Sequence, residues 1–304
     1  MMQRIKPYFF CRLSESDFLP FYKRVVDANG VVCFDLEDSI GDVDSNNIKR
    51  VKDLHREKVI EFIREFGSKV DRPVIGLRIN SVESEFYRED LRAINSLDYI
   101  HTVFLPKMET AMGTESFLHD LQAGVADVIP VIETSGGVQA LDGILSLTDS
   151  RFRAVAFGHC DYNLSLGCFP FHHQNSRKYW EWISLLDEVA SSRNKWLINS
   201  PVLRLKDRIL FESVLRKLGQ YESASGQITL SMEQTEMCTS MPSVRTDQKE
   251  LDETDIAEAG RAIEAVREFE TYRLAGKMFA VDEKKDIISP QEYVAAKRHL
   301  ENLH

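Results

Sequence analysis

VIPVIETSGGVQALDGILSLTDSRFRAVAFGHCDYNLSLG, residues 128–167, is the stretch whose reading decides the fold. An apolar, β-rich run, Val128 to Ile132, ends on Glu133 and a turn containing Gly136 and Gly137. About one βα repeat later a second run, Ala154 to Phe157, ends in Gly158, His159, Cys160 and Asp161. As neighbouring strands of a parallel barrel, the two runs would deliver both carboxylates to one rim, close enough to share a divalent cation.

Working outward, six more runs of the same kind flank this pair. Tyr8 to Phe10 reads as a first short strand, and Val31 to Phe34 as a second. The second lacks polar alternation, as a strand covered on both faces does, and it runs into Asp35, Glu37 and Asp38. Three acids at one strand end are costly unless solvent, bases or a cation face them. RPVIGLRIN (72–80) is the third and carries Arg78 and Asn80 at its end; Thr102 to Leu105 is the fourth, followed by Lys107 and Glu109. WLINSP (196–201) and GQITL (226–230) are the seventh and eighth. Helical patterns fall at Glu15–Ala28, which Asn29-Gly30 ends, and at His55–Phe66, Tyr179–Val189 and Lys206–Leu218, with residues 41 to 52 read as a loop.

Eight strands starting roughly 23 to 42 residues apart have the repeat length of a (β/α)8 barrel, an α/β fold of the TIM type. The polar residues collect just after the apolar runs, at the rim that carries chemistry in such barrels. No glycine-rich first turn supports a dinucleotide-binding open sheet. We therefore expect a barrel over 1–240 and a helical extension over 241–304, the latter packing on a neighbouring subunit. Within the extension, Asp252 to Leu274 has apolar residues at helical spacing, Asp282 to Asp286 is a charged turn, and Pro290 opens a last helix.

Composition narrows the function. With 38 Lys+Arg against 48 Asp+Glu the net charge is −10, which argues against nucleic acid or a membrane surface as partner and for a small organic substrate. The chain has no 18-residue apolar run and no signal-peptide pattern at its start, so the expectation is a soluble, cytoplasmic protein. Five cysteines without C-x-x-C spacing are expected to be reduced thiols rather than a disulfide or zinc framework.

Five motifs in order, FDLEDSI, GLRIN, FLPKMET, VIETSGGV and FGHCDYNLSLG, resemble the HpcH/HpaI aldolase and citrate lyase β-subunit family, in particular its CitE-like branch. The resemblance implies a magnesium-dependent barrel with a C-terminal helical extension, assembled as a homotrimer or larger homo-oligomer. It implies cleavage or formation of a carbon-carbon bond in a 2-oxo or hydroxy carboxylate, as the free acid or as a CoA thioester of the citryl-, malyl- or citramalyl-CoA type. Glu133 and Asp161 correspond to its metal ligands. Three segments depart from its pattern: KPYFFCRL replaces a CoA-binding first strand, Ser231 replaces a histidine after strand eight, and Ile288 stands where family lyases carry an aspartate, with Asp286 the nearest acid. These departures favour, as the alternative, a relative that binds a metabolite or hydrolyses a (thio)ester without lyase activity.

The residues assign roles on their own chemistry as well. Magnesium takes one or two protein carboxylates and keeps positions for waters and substrate oxygens, which suits Glu133 and Asp161 with Glu37 and Asp38 holding waters. Arg78 can fork onto a carboxylate or enolate oxygen, or pair with Asp35 or Glu37, or do both. Asn80 and the backbone of Gly136 and Gly137 are further candidates for substrate contact. Lys107 is expected to be ion-paired rather than a Schiff-base lysine. His172-His173 reads as a solvated turn, and His159 as either a packing or a catalytic residue.

Overall fold

A computed structural model describes residues 5–13, 18–37, 47–122, 124–240, 258–274, 279–282 and 286–302. Eight parallel strands close into a barrel in chain order: β1 (Lys6–Phe10), β2 (Val31–Asp35), β3 (Ile75–Arg78), β4 (Tyr99–Leu105), β5 (Gly124–Ile132), β6 (Ala154–Phe157), β7 (Trp196–Asn199) and β8 (Ala224–Thr229). β1 and β8 complete the ring, pairing Tyr8 with Ile228. The expected (β/α)8 barrel is the fold.

The apolar runs form strands because both of their faces are covered. Along β2, Val31 and Cys33 point into a small cluster inside the barrel with Tyr8, Phe104 and Ile198. Val32 and Phe34 point outward into the larger cluster shared with the helices. The period-2 alternation is therefore apolar against apolar, which a sequence shows as an unbroken run. Inside, the Tyr8 and Phe104 rings meet edge to face at 5.5 Å.

Register sets the rim. Asp35 pairs with Arg78 and Arg78 with Phe104, so β2 and β3 end together beside the end of β4; Phe104 pairs with Ile129, and β5 runs three residues further to Ile132, which pairs with Phe157 at the end of β6. Residues immediately beyond those ends share the mouth of the barrel.

Two expectations shift. The helix expected from His55 begins earlier, at Ile48, and runs to Gly67, taking in part of the presumed loop. Its early face is buried through polar contacts rather than apolar ones: Lys52 Nζ donates to Asn80 Oδ1 at 2.5 Å and Arg56 Nε to Asp90 Oδ1 at 2.6 Å, so hydrophobic periodicity could not announce it. The expected domain boundary near 241 falls among residues 241–257, outside the described residues; the helix beyond is described from Glu258 to Leu274.

The extension lies over the mouth of the chain's own barrel. A short hairpin, β9 (Ala280–Val281) and β10 (Ile287–Ile288), joins the barrel through Ile287 N–H to Leu203 O at 3.2 Å and through Arg204, whose Nε lies 3.3 Å from Asp286 Oδ2. The last helix, Pro290–Glu301, starts as expected at Pro290 and is capped by Ser289, whose hydroxyl accepts from Glu292 N–H. Ile288 packs with Phe269 and Tyr293 in the extension's own small core.

Candidate active site

The mouth of the barrel and the extension together line a cavity of about 940 Å³. Arg78, Glu133 and Asp161 line its floor.

Glu133 follows β5 and is 2% exposed. Its Oε1 accepts the backbone N–H of Lys107 at 2.8 Å. Lys107 adopts a left-handed conformation (φ 52°), a cost for a side chain with a Cβ, and that turn aims its N–H at the carboxylate. Gly158, after β6, makes the approach possible: a Cβ there would come within 2.6 Å of Glu133 Cβ and would collide with its Oε2. Burial, followed by the nearby charges of Asp161 and Glu37, pushes the Glu133 carboxyl well above the usual range, against the opposing pull of Lys107 and Arg78.

Asp161 sits in the first turn of the helix His159–Ser165. Its Oδ2 accepts from Gln291 Nε2 at 2.8 Å, a tie between rim and extension, and its Oδ1 lies 3.9 Å from the Lys107 ammonium. That ammonium donates to Glu37 Oε1 at 2.7 Å, the ion pairing expected of it.

Arg78 is held by its neighbours. Its Nε and one terminal nitrogen donate to the two oxygens of Asp35 at 2.8 and 2.7 Å, and its other terminal nitrogen lies 3.2 Å from Glu37 Oε2. The Phe10 ring packs against the guanidinium at 5.8 Å. A cation so fixed keeps one orientation toward the cavity and pays little to reorganise when an anion arrives.

The other candidates fall differently. Asn80 is buried away from the cavity: its Nδ2 donates to Leu36 O and Asp90 Oδ2, and its Oδ1 accepts from Lys52, so it braces the end of β3. Gly136 and Gly137 lie in the short helix Ser135–Gln139 and not on the cavity wall; a Cβ on Gly137 would come within 2.6 Å of Met108 O, and Thr134 Oγ1 accepts the Gly137 N–H. Their small size serves the packing of one βα loop against the next. Asp38 lies outside the described residues. Ser231 accepts the Gln234 N–H at the start of the helix Met232–Ser240.

The His172-His173 segment is not the solvated turn expected of it. His173 Nδ1 lies 2.9 Å from Nε2 of the fully buried His159, a residue of the cavity lining, and the other nitrogen of His173 lies 3.9 Å from Glu292 Oε1. Burial, then the neighbouring His173, holds the His159 imidazole well below its usual pKa, so it is neutral at pH 7. Only tertiary contact joins these rings; the intervening chain carries no periodic signal of it. All five cysteines are free thiols, and burial pushes Cys11 on the cavity wall up to about 12.

The donor chemistry of the floor fits magnesium. Two hard carboxylates, one of them buried among further acids, form a site short of positive charge, and magnesium needs no more than one or two such ligands. Among the described residues no three His, Cys, Asp or Glu side chains are gathered into an all-protein metal cage.

The acids and the anchored arginine thus lie at the C-terminal rim, the face at which parallel barrels of this kind carry their active sites. Residues 25–179, just over half the chain, match the model of the HpcH/HpaI aldolase/citrate lyase family, and the chain belongs to that family. No curated protein sequence matched. Among solved structures, the citrate lyase β subunit of M. tuberculosis complexed with oxaloacetate and magnesium superposes with a TM-score of 0.59 at 20% identity, over 77% of this chain and 96% of that one. CitE from Mycobacterium tuberculosis in complex with magnesium, acetoacetate and coenzyme A does so at 0.61 and 17% identity, over 99% and 98%. RipC from Yersinia pestis follows at 0.58 and 17%, over 80% and 98%. At these identities the likeness is one of fold.

Proposed function

We propose that this chain is a magnesium-dependent carbon-carbon lyase or aldolase acting on a small 2-oxo or hydroxy carboxylate, as the free acid or a CoA thioester, in a cytoplasmic homo-oligomer. The observation that carries the reading is the meeting of Glu133 and Asp161 at one cavity floor with Arg78 anchored beside them. Family membership supports it, as do the magnesium and small carboxylates in the solved structures of similar fold.

In this reading Glu133 and Asp161 hold the magnesium. When bound, the metal supplies Lewis-acid polarisation to the substrate oxygens next to the carbon that changes bonding. Arg78 binds the substrate carboxylate, or the oxygen on which negative charge grows as the carbon-carbon bond breaks; its attachment to Asp35 keeps the guanidinium plane fixed while that charge develops. Glu37, tied to Lys107 and Arg78, orients water at the floor, a task assigned to Asp38 as well. Gln291 and the Lys107 backbone hold the two ligands in place.

A second reading draws on Ile288. That side chain is buried in the extension's core, and Asp286 is paired with Arg204, so the position where family lyases carry an acid is apolar here. This favours a barrel that binds the metabolite or hydrolyses a (thio)ester. A screen of malyl-, citramalyl- and citryl-CoA alongside oxaloacetate and 4-hydroxy-2-oxo acids, with and without EDTA, separates the readings. The lyase reading expects carbon-carbon cleavage that EDTA abolishes. Thioester hydrolysis without cleavage would select the second, and full cleavage in excess EDTA would defeat the metal role.

A further inference from the structure

Only the floor of the cavity is built for a small acid. At about 940 Å³ the cavity is at the upper end of the range of roughly 300–1,000 Å³ typical of sites for drug-sized ligands, and a three- or four-carbon oxo acid fills a small part of it. The walls rising from the floor are mostly apolar, with Arg12, Lys206, Asp282 and Gln291 as polar interruptions, and the Arg12 guanidinium lies 5.3 Å over the Phe279 ring. On the barrel side they begin at the Phe10 ring, which touches the Arg78 guanidinium at one face and meets Phe104 at 5.2 Å, and they continue over Ile228 and Leu230. On the extension side the cavity is lined by Phe279, which immediately precedes β9, and by the directly paired Val281 and Ile287 of the hairpin. The apolar wall thus adjoins the floor that holds Arg78, Glu133 and Asp161, and a part of the chain outside the minimal barrel faces it from the other side.

We propose that the substrate carries an apolar tail, an acyl chain or an aromatic ring, on the carbon skeleton whose carboxylate is held at the floor, and that this tail lies between the Phe10–Leu230 wall and the β9–β10 hairpin. The inference rests on the metal-dependent reading of the floor. Water against such walls is released when a tail covers them, which makes tail length the natural determinant of specificity.

The test is calorimetric titration of the full chain, with magnesium present, by pyruvate, 2-oxobutanoate, 2-oxohexanoate, 2-oxooctanoate and phenylpyruvate. Affinity is expected to rise about threefold for each of the first few methylenes added, short of the fourfold that complete transfer from water would give. In Leu230→Asp the ratio of the 2-oxooctanoate to the pyruvate affinity should fall about tenfold; Phe279→Ala, on a partly exposed side chain, repeats the test at a position where folding is not in question. Pyruvate binding with an affinity flat along the series overturns the tail while leaving the metal site intact. Displacement of bound pyruvate by acetyl-CoA but not by 2-oxooctanoate also overturns it. If none of the acids binds, the floor itself has been misread and this inference falls with it.

Discussion

Glu133 is a carboxylate that the fold buries among other acids, and Gly158 is the residue that lets it be there. Gly158 has an ordinary backbone conformation (φ −110°), so its requirement is steric and nothing else. Gly158→Ala is expected to displace the Glu133 side chain and weaken magnesium binding by ~10- to 100-fold, the usual cost of disturbing a ligand's support, and, because the clash reaches the Glu133 Cβ, to cost ~1–3 kcal/mol in urea denaturation as well. Unchanged affinity in calorimetry would contradict it. His101, with the buried His159, contributes to acid sensitivity. Burial first, then the Lys6 ammonium, with Arg153 adding and Asp127 opposing, lowers the His101 imidazole to about 4. In the unfolded chain it titrates near ~6.5, so between those values the unfolded state binds a proton that the native state refuses, and stability is lost as pH falls through that window. In His101→Gln this contribution is absent, and the fall of the urea midpoint between pH 7 and pH 4.5 should be smaller than in the wild type. At this scale an apolar run ending on a charge foretold which side chains line the cavity, as at Glu133, Asp161 and Arg78, whose roles are those proposed above. It misled at Asn80, because the partners that claim its amide, Lys52 and Asp90, come from two separate helices that no local pattern links to it.

At the scale of elements, the strand ends are held at their level by side-chain braces beneath the rim. Asp90, fully buried in the helix Tyr87–Asn95, accepts from Arg56, from the Asn80 backbone and from the Asn80 amide, tying two helices to the end of β3 two residues past Arg78. Asp90→Ala would leave a buried guanidinium without this partner and Asn80 without its main acceptor. The expected loss is ~3–5 kcal/mol in urea denaturation, with the Arg78 site distorted as β3 loosens. A loss below 1 kcal/mol would mean the brace is not structural. The strands themselves were legible, since length, β-branching and turns bounded each run. Their helical partner Ile48–Gly67 was legible only in its second half, because its first half docks through charged side chains whose burial looks like exposure when read one residue at a time.

For the molecule as a whole, the closed barrel could be read from eight spaced runs, while the extension could be recognised only as a helical appendage. Its placement over the chain's own mouth depends on a few long-range contacts, Gln291 to Asp161, Ile287 to Leu203 and Arg204 to Asp286, that carry no periodicity. This placement adds a second wall to the rim. The homo-oligomer is a proposal at the same scale: sedimentation equilibrium is expected to return a multiple of the 34.9 kDa chain, three or more, and a monomer at micromolar concentration would refute it.

The central claim is that Glu133 and Asp161 bind one magnesium together. Calorimetric titration of magnesium into the wild type, Glu133→Gln and Asp161→Asn tests it most directly, because it needs neither the substrate nor turnover. One site per chain in the wild type, lost or weakened by at least ~100-fold in each variant while the urea midpoints hold or rise, is the predicted result. Magnesium binding with the wild-type affinity in either variant would contradict it.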